Sequence, residues 1–414
     1  MKRRDFLKGL AAAAALAPVS RLAAASEKQE PGKVTRKPYK NTGLTLPMLG
    51  YGMMRLPVLK SARKIDYAAA EKLFDRAMKA GVNYFDTAYF YHSGASETCA
   101  GDLLSKYPRD SYMLASKMPV GFLKNAADLE RIFNEQLKKC KTAYFDFYML
   151  HALNASSWKK SQRLKVYDFL AQKKREGKIR KLGFSFHDTP EVLEKIASAH
   201  PWDFAQIQLN YLDWELYRSK EQYEILTRKN IPVIVMEPLR GGALANLNKA
   251  ANTILHNAAP GYSSASWAFR YAGSLPNVLI TLSGMTKMEH LEDNIRTFSD
   301  FKPLNGTERK TLKTALEAYR RSLAVPCTDC RYCMPCPAEV EIPRIFGIYN
   351  QYKLSGNRYQ FLNNYRAIGE DGRASSCVAC GKCLKNCPQK INIPEQLKKI
   401  DLEFKRMTRK RRTS

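Results

Sequence analysis

The sequence predicts an α/β protein in which a (β/α)₈ TIM barrel is followed by a small cysteine-rich domain. From Thr45 to Met285, short apolar runs rich in β-branched residues alternate with amphipathic stretches, a pattern typical of parallel strands with crossover helices. Eight of the ten cysteines fall into two matching groups between residues 327 and 387, which indicates a separate domain. A chain of 414 residues is long enough for both domains.

The barrel prediction depends on the number of strands. The eight candidate strands are Pro47–Met53, Val82–Thr87, Tyr112–Lys117, Phe145–His151, Arg180–Ser185, Phe204–Asn210, Pro232–Met236 and Val278–Ser283. Helical patterns between them include Tyr67–Ala80, Ala126–Cys140, Trp158–Glu176, Glu191–Ala199 and Leu216–Lys229. Eight strands over about 250 residues match a (β/α)₈ barrel. A doubly wound sheet is the alternative, and it is disfavoured because no G-x-G-x-x-G follows the first strand.

Residues 1–25 have the pattern of a twin-arginine signal peptide. The run Arg3–Lys8 overlaps the start of an apolar stretch, Leu7–Val19, that is too short to span a membrane, and Ala23–Ala25 suits cleavage. An amphipathic helix is disfavoured because this stretch has no polar face. We therefore expect export of the folded protein to the periplasm, with a cytoplasmic location as the alternative. No later apolar run reaches 18 residues, so no membrane span is expected.

The chain is strongly basic, with a formal charge of +29. Residues 1–25 contribute a net +4, which leaves +25 for the remainder, and a dense basic run closes the chain in a tail at residues 403–414. Such a charge suits an acidic partner, an anionic substrate or a membrane surface. A solvated face is the simpler interpretation, and no nucleic acid partner is expected because the basic residues are not interleaved with aromatic ones.

Four titratable side chains are predicted to meet at one end of the barrel. Asp86, Lys117 and His151 lie at the ends of the second, third and fourth strands, and Tyr91 follows Asp86 by five residues. In TIM barrels, the chemistry is carried by residues at the carboxyl ends of the strands. Each residue alone has an ordinary structural explanation, but the four together at adjacent strand ends predict a site.

These residues lie in motifs that resemble those of the aldo/keto reductases. The segment Asn83–Tyr91 resembles the D-T-A-x-x-Y signature of that family. The resemblance continues through Ser96-Glu97, Ala-Ser-Lys117, Tyr-Met-Leu-His151, Lys181–Ser185, Gln206–Gln208 and Ser283–Thr286 before Asn294. It implies a catalytic tetrad of Asp86, Tyr91, Lys117 and His151. It also implies interconversion of a small carbonyl compound and its alcohol, such as a sugar, with NADP or NAD.

The same resemblance implies the positions of the nicotinamide contacts. They are Ser185, Gln206, Pro238, Leu239, Ser283 and Asn294. Phe186 and His290 depart from the family, where many members have Asn and Arg, respectively. Lys287 is close enough in sequence to replace that arginine. The choice between NADP and NAD therefore stays open.

The predicted tetrad makes chemical sense. Tyrosine, with an ordinary pKa of about 10, needs help to act as an acid. An ammonium at Lys117 would favour the phenolate of Tyr91, and Asp86 would hold that ammonium in place. His151 would hydrogen-bond the substrate oxygen.

The eight clustered cysteines form an internal repeat. The groups are Cys327, Cys330, Cys333 and Cys336, followed by Pro337, and Cys377, Cys380, Cys383 and Cys387, followed by Pro388. The first three members are offset by 50 residues and the fourth by 51. The second group has the C-x₂-C-x₂-C-x₃-C-P spacing of bacterial ferredoxins, which indicates two [4Fe–4S] clusters.

The ferredoxin pattern also predicts which cysteines share a cluster. In two-cluster ferredoxins, the fourth cysteine of one group binds the other cluster. Cys387 would then join the first three cysteines of the first group, and Cys336 those of the second. The first group has one residue fewer before its fourth cysteine, Cys336, so the spacing leaves open which cluster Cys336 binds. Zinc sites and disulfides are the alternatives, and both are disfavoured by the spacing.

We therefore expect a signal peptide at residues 1–25, a reductase barrel at 37–302, a ferredoxin-like dicluster domain at 326–400 and a basic tail at 403–414. This organisation resembles a subgroup of the aldo/keto reductases with a C-terminal ferredoxin-like domain. It implies hydride transfer coupled to electron transfer, with a redox partner protein. The alternative is an exported iron–sulfur electron carrier whose barrel is a binding scaffold, which the intact tetrad disfavours.

Overall fold

The computed structural model describes residues 32–40, 42–59, 64–321, 324–325, 327, 333–387 and 390–409. The predicted signal peptide at residues 1–25 and Cys330 lie outside the described residues. The last five residues of the predicted basic tail, 410–414, also lie outside them.

A closed barrel of eight parallel strands forms the first domain. The ten described strands are β1 (Arg36–Pro38), β2 (Thr45–Pro47), β3 (Leu49–Gly52), β4 (Tyr84–Asp86), β5 (Met113–Met118), β6 (Phe145–Leu153), β7 (Ile179–Phe186), β8 (Phe204–Gln208), β9 (Val233–Met236) and β10 (Val278–Ser283). The barrel order is β10-β3-β4-β5-β6-β7-β8-β9. All eight predicted strands are confirmed, and the closure excludes the open doubly wound sheet.

Sixteen helices are described along the chain. They are α1 (Tyr67–Lys79), α2 (Ala95–Leu104), α3 (Ala127–Lys139), α4 (Ala155–Arg163), α5 (Val166–Arg175), α6 (Pro190–Ala199), α7 (Asp213–Leu216), α8 (Ser219–Arg228), α9 (Lys249–Ala258), α10 (Ser264–Gly273), α11 (Met288–Ser299), α12 (Gly306–Arg321), α13 (Ile342–Ser355), α14 (Arg358–Arg366), α15 (Lys382–Asn386) and α16 (Ile393–Arg409). In the described segments, none is long and apolar enough to cross a membrane.

Two predicted helices are interrupted. The predicted helix Trp158–Glu176 is two helices, α4 and α5, because Lys165 adopts a left-handed conformation (φ 53°) between them. α4 begins earlier than predicted, since the side chain of Asn154 accepts a hydrogen bond from the backbone N–H of Ser157. Similarly, Arg218 (φ 51°) separates α7 from α8 within the predicted Leu216–Lys229. The sequence shows neither break, because a left-handed residue is usually glycine or asparagine.

A short hairpin, which the sequence analysis did not predict, covers the amino-terminal end of the barrel. Strands β1 and β2 pair antiparallel. The residue that follows β1, Tyr39, is 1% exposed and packs edge-on against Phe147 inside the barrel. Its hydroxyl donates to the carbonyl of Asp203, which precedes β8. With this end filled, the opposite end, at the carboxyl termini of the strands, is the open mouth.

The cysteine-rich segment has its own apolar core. Buried residues of α13, α14 and α16, such as Phe346, Tyr365 and Leu397, form a cluster separate from the barrel core. The repeat in the sequence is also a repeat in structure. Each cysteine group is followed by a helix that begins at an Ile-Pro pair, at Ile342 in α13 and at Ile393 in α16.

Candidate active site and cluster domain

A buried ion pair lies at the barrel mouth. The Nζ of Lys117, at the end of β5, donates to Oδ1 of Asp86, at the end of β4, over 2.6 Å. It also donates to the carbonyl of Thr87 over 2.6 Å. The side chain of Lys117 is fully buried and that of Asp86 is 3% exposed. Burial works to lower the pKa of Lys117, but the charges of Asp86 and Tyr91 and the hydrogen bonds to them together outweigh burial and raise the pKa, so the ammonium persists.

Tyr91 lies directly over this ion pair. The Nζ of Lys117 is 4.8 Å from the centroid of the Tyr91 ring. Burial raises the pKa of Tyr91 above its ordinary value, while the charge of Lys117 opposes that rise. As expected from the sequence, the charge of Lys117 acts to lower the pKa of Tyr91. The effect of burial is larger, so the pKa is raised. The phenol consequently keeps its proton at neutral pH, as an acid requires.

His151 completes the group of four. Its ring lies 5.8 Å from the ring of Tyr91, nearly perpendicular to it. Burial, together with the charge of Lys117, holds the pKa of His151 well below its usual value, so the imidazole is neutral. Its Nδ1 is buried without a hydrogen-bond partner. The structure therefore brings all four predicted side chains to one mouth.

Several residues at this mouth escaped the sequence analysis. The ring of Phe90 stacks on His151 at 4.7 Å with an interplanar angle of 5°, and Phe122 stacks on Phe90 at 5.5 Å. Arg55 forms an ion pair with Glu237 across the loops after β3 and β9 at 3.7 Å. Phe90 directly precedes Tyr91 in the sequence, but its stacking on His151 depends on how the loop after β4 folds. The ion pair joins Arg55 and Glu237, 182 positions apart, so no local pattern predicts it.

Two of the six predicted nicotinamide contacts lie on β7 and β8. Ser185 is buried, and its Oγ accepts a hydrogen bond from the backbone N–H of Ala152 over 2.7 Å. Gln206 is 2% exposed, and its Oε1 is buried with no partner. A carboxamide group has N–H donors that would satisfy this acceptor. The residues present thus fit the amide end of a nicotinamide.

The remaining predicted contacts lie at β9 and β10. Asn294 of α11 donates to the Oγ of Ser283 at the end of β10 over 3.0 Å, and this pair is buried. Pro238 and Leu239 begin the loop after β9, in which Arg240, Gly241 and Gly242 all have positive φ angles. Together with Ser185 and Gln206, these residues lie on, or in segments that follow, four consecutive barrel strands, β7 to β10.

Five cysteines from both groups line one cavity of about 180 Å³. They are Cys333, Cys336, Cys377, Cys380 and Cys383. Cys336 therefore lies beside the first three cysteines of the second group, despite the shorter spacing before it. Cys387 is described and does not line this cavity, whereas Cys333, which is predicted to share a cluster with Cys387, does. The assignment of Cys333 and Cys387 to the other cluster stays a prediction.

The thiols around this cavity are of the chemical type that binds an iron–sulfur cluster. Among the described residues, no three Cys, His, Asp or Glu side chains converge on a single point as around one metal ion. The four ligands of a [4Fe–4S] cluster bind through thiolates to different irons. Burial raises the pKa of the Cys383 thiol, and the charges of Cys377, Cys380 and Cys336 raise it further. Cys336, Cys377, Cys380 and Cys383 fit the second cluster.

Two separate segments of the chain match known families. Residues 48–317 match the aldo/keto reductase family, and residues 326–391 match the 4Fe-4S dicluster domain. The chain belongs to the aldo/keto reductase family. It is an NAD(P)-dependent oxidoreductase of that type, with a C-terminal iron–sulfur domain suited to electron transfer.

Individual relatives are distant. L-galactose dehydrogenase of Arabidopsis thaliana is 24% identical over 302 residues, which cover 68% of this chain and 92% of the relative. D-threo-aldose 1-dehydrogenase of a Pseudomonas species is 39% identical over 75 residues, covering 18% of this chain and 22% of the relative. The structure of the aldo-keto reductase AKR11C1 from Bacillus halodurans is similar with a TM-score of 0.58 at 21% identity, over 68% of this chain and 96% of that one. At this identity, the structural likeness shows the fold.

The ion pair predicts a pH effect for Asp86→Asn. Without the carboxylate, the pKa of the buried Lys117 falls, so the ammonium is lost at lower pH. The alkaline limb of the pH–kcat profile should therefore move to lower pH. Asp146→Asn is the control, because Asp146 is another buried carboxylate that pairs with Arg109 away from the tetrad. An alkaline limb that stays in place in Asp86→Asn would contradict the assigned role of the pair.

The shared cavity predicts the iron content of paired cysteine variants. If Cys336 and Cys377 bind the same cluster, the variant Cys336→Ala with Cys377→Ala should lose only that cluster. It should then contain about four of the about eight iron atoms expected for two clusters. Cys327→Ala combined with Cys336→Ala should lose both. Iron analysis and the visible spectrum of anaerobically purified protein measure this. If each cysteine group instead binds its own cluster, the Cys327/Cys336 variant would keep one cluster and the Cys336/Cys377 variant would lose both.

Proposed function

We propose that the protein interconverts a small carbonyl compound and its alcohol at the barrel mouth, with Tyr91 as the acid and base. The fully buried ammonium of Lys117, fixed by Asp86 beneath the Tyr91 ring, carries this proposal. A lysine buried without such a role is rare, because its desolvation costs free energy that a structural side chain need not spend.

The chain supplies the proton chemistry and the orientation of the substrate. When bound, the nicotinamide supplies or takes up the hydride. Tyr91 donates its proton to the developing alkoxide, and the charge of Lys117 stabilises the phenolate that remains. Neutral His151 hydrogen-bonds the substrate oxygen and orients the carbonyl. In the reverse direction, the Tyr91 phenolate accepts the proton of the alcohol.

The coenzyme is NADP or NAD, held by Ser185, Gln206, Pro238, Leu239, Ser283 and Asn294. The partnerless Oε1 of Gln206 supports the position of the carboxamide. Lys287 and His290 are both exposed at the start of α11. In NADP, the 2′-phosphate would be placed against Lys287.

We propose a sugar or a similar polyol as the substrate class. Relatives of the chain carry the names L-galactose dehydrogenase, D-threo-aldose 1-dehydrogenase and 6-dehydroglucose reductase. Phe90 is 40% exposed while it stacks on His151. It therefore offers an aromatic face beside the residue that would orient the carbonyl, and such a face suits the C–H groups of a sugar ring.

The iron–sulfur domain exchanges single electrons in this proposal. If the two electrons of a hydride pass to the clusters, one to each, the remaining proton would be released to solvent, so two clusters match one turnover. A redox partner protein delivers or removes these electrons.

We also propose export of the loaded protein by the twin-arginine route to the periplasm. The paired arginines Arg3 and Arg4 support this route. Fractionation of cells should find the mature protein outside the cytoplasm, and Arg3→Lys with Arg4→Lys should retain it inside. Equal cytoplasmic amounts of both forms would favour a cytoplasmic enzyme.

Tyr91→Phe tests the proposed activity. Loss of the hydroxyl removes the proton donor, so kcat for carbonyl reduction should fall by about 10²-fold or more. Binding of nicotinamide nucleotide, followed by fluorescence, should be retained. Tyr89→Phe is the matched control, since the Tyr89 hydroxyl donates to Glu135 rather than to the tetrad. Near-normal turnover in Tyr91→Phe would refute the assignment.

A further inference from the structure

We propose that the surface around the second cysteine group is the docking site of an acidic one-electron carrier protein. We call this surface the cysteine-loop patch, formed by Val378, Cys380 and Leu384 with Lys382, Lys385 and Lys390. The inference rests on the electron-transfer role proposed above for the cluster domain, and it adds where the partner binds and what its surface must be.

Apolar side chains are exposed at this patch. Val378 is 70% exposed and Leu384 is 41% exposed. Tyr359 and Leu402 of the same domain are exposed as well, but neither lines the cysteine cavity, as Val378 does. The side chain of Leu384 lies close to Gly381. A Cβ atom built on Gly381 would be 3.8 Å from Cδ1 of Leu384. Exposed apolar groups ringed by charges are typical of protein contact sites.

A cluster ligand reaches the surface within the patch. Cys380 is exposed, whereas the other described cysteines of the two groups are partly buried. Val378, Cys380 and Lys382 all line the cavity that fits the second cluster. Iron held by Cys380 would therefore be accessible to a partner on this side, and electron transfer needs such a short path.

The charge of the patch has one sign. From residue 378 to residue 390, the charged residues are Lys382, Lys385 and Lys390, with no Asp or Glu. The three lysines are exposed. Electrostatic complementarity then selects a partner whose own redox centre is surrounded by carboxylates. Interfaces between electron-transfer proteins are small and transient, so the six residues of the patch are enough to contribute to docking of a partner.

The exchange at the patch is a one-electron step. A reduced cluster loses one electron and returns to its oxidised state, and the partner gains that electron, or the reverse. No bond forms and no proton moves. An anionic membrane would also attract the lysines, but it would not use the exposed cluster ligand, so the observations favour the protein partner.

Charge reversal tests the docking site in the full-length protein with its clusters assembled. The variant is Lys382→Glu with Lys385→Glu. The matched control is Lys398→Glu with Lys399→Glu, two exposed lysines of α16 in the same domain. Both variants change the net charge equally. The visible spectrum confirms that the clusters are retained. Stopped-flow mixing then measures oxidation of the reduced clusters by an acidic flavodoxin, by basic cytochrome c and by an uncharged quinone.

We expect the patch variant to slow electron transfer to flavodoxin by about ten-fold or more at low ionic strength. Its dissociation constant for oxidised flavodoxin should rise by a similar factor. The control variant should stay within about two-fold, and the quinone rate should not change. Equal effects of both variants, or no effect, would overturn the proposal. So would normal flavodoxin kinetics combined with loss of binding to anionic phosphatidylglycerol vesicles, which would show a membrane contact.

Failure of the proposed function gives a different result. If nicotinamide-dependent carbonyl reduction is absent while the patch variant still slows flavodoxin, the barrel chemistry is wrong and the docking site stands. If the clusters reduce neither flavodoxin nor quinone, the electron-transfer role itself is wrong.

Discussion

A lysine ammonium with no access to water is the constraint on which the barrel mouth depends. Removing Lys117 from water costs free energy, and its contacts with Asp86 and the carbonyl of Thr87 offset that cost. These contacts exist because β4 and β5 pair with Asp86 opposite Ala115, two residues before the lysine. The pairing register of β4 and β5 therefore also places Asp86 beside Lys117 at the barrel mouth.

The same lysine is held from behind by a buried polar network. The amide of Gln136 donates to the carbonyl of Lys117 over 3.1 Å, and its Oε1 accepts from the hydroxyl of Tyr148. Ser116 donates to Glu97 over 2.6 Å in the same network. Each group in this network would be costly to bury alone, so together they fix the end of β5. A rigid strand end keeps the ammonium under the Tyr91 ring.

Much of the site was predictable because its residues fall at fixed points of a regular pattern. Asp86, Lys117 and His151 end consecutive strands, and parallel strands in a barrel bring their carboxyl ends together. The contact of Phe90 with His151 was not predictable, since it depends on how the loop after β4 folds back. Lys165 and Arg218 interrupt two predicted helices with left-handed conformations. Neither residue is a glycine, so the sequence does not signal these breaks.

The sequence by itself determined the eight-strand barrel, the two cysteine groups and the identity of the four mouth residues, because periodicity and spacing are local properties of the chain. Only the tertiary structure decided that burial, not the lysine charge, dominates the pKa of Tyr91. It also decided that Cys336 lies with the second cysteine group and that Val378 and Leu384 face solvent. Burial and proximity between distant segments arise from the packing of the whole domain, which no local pattern records.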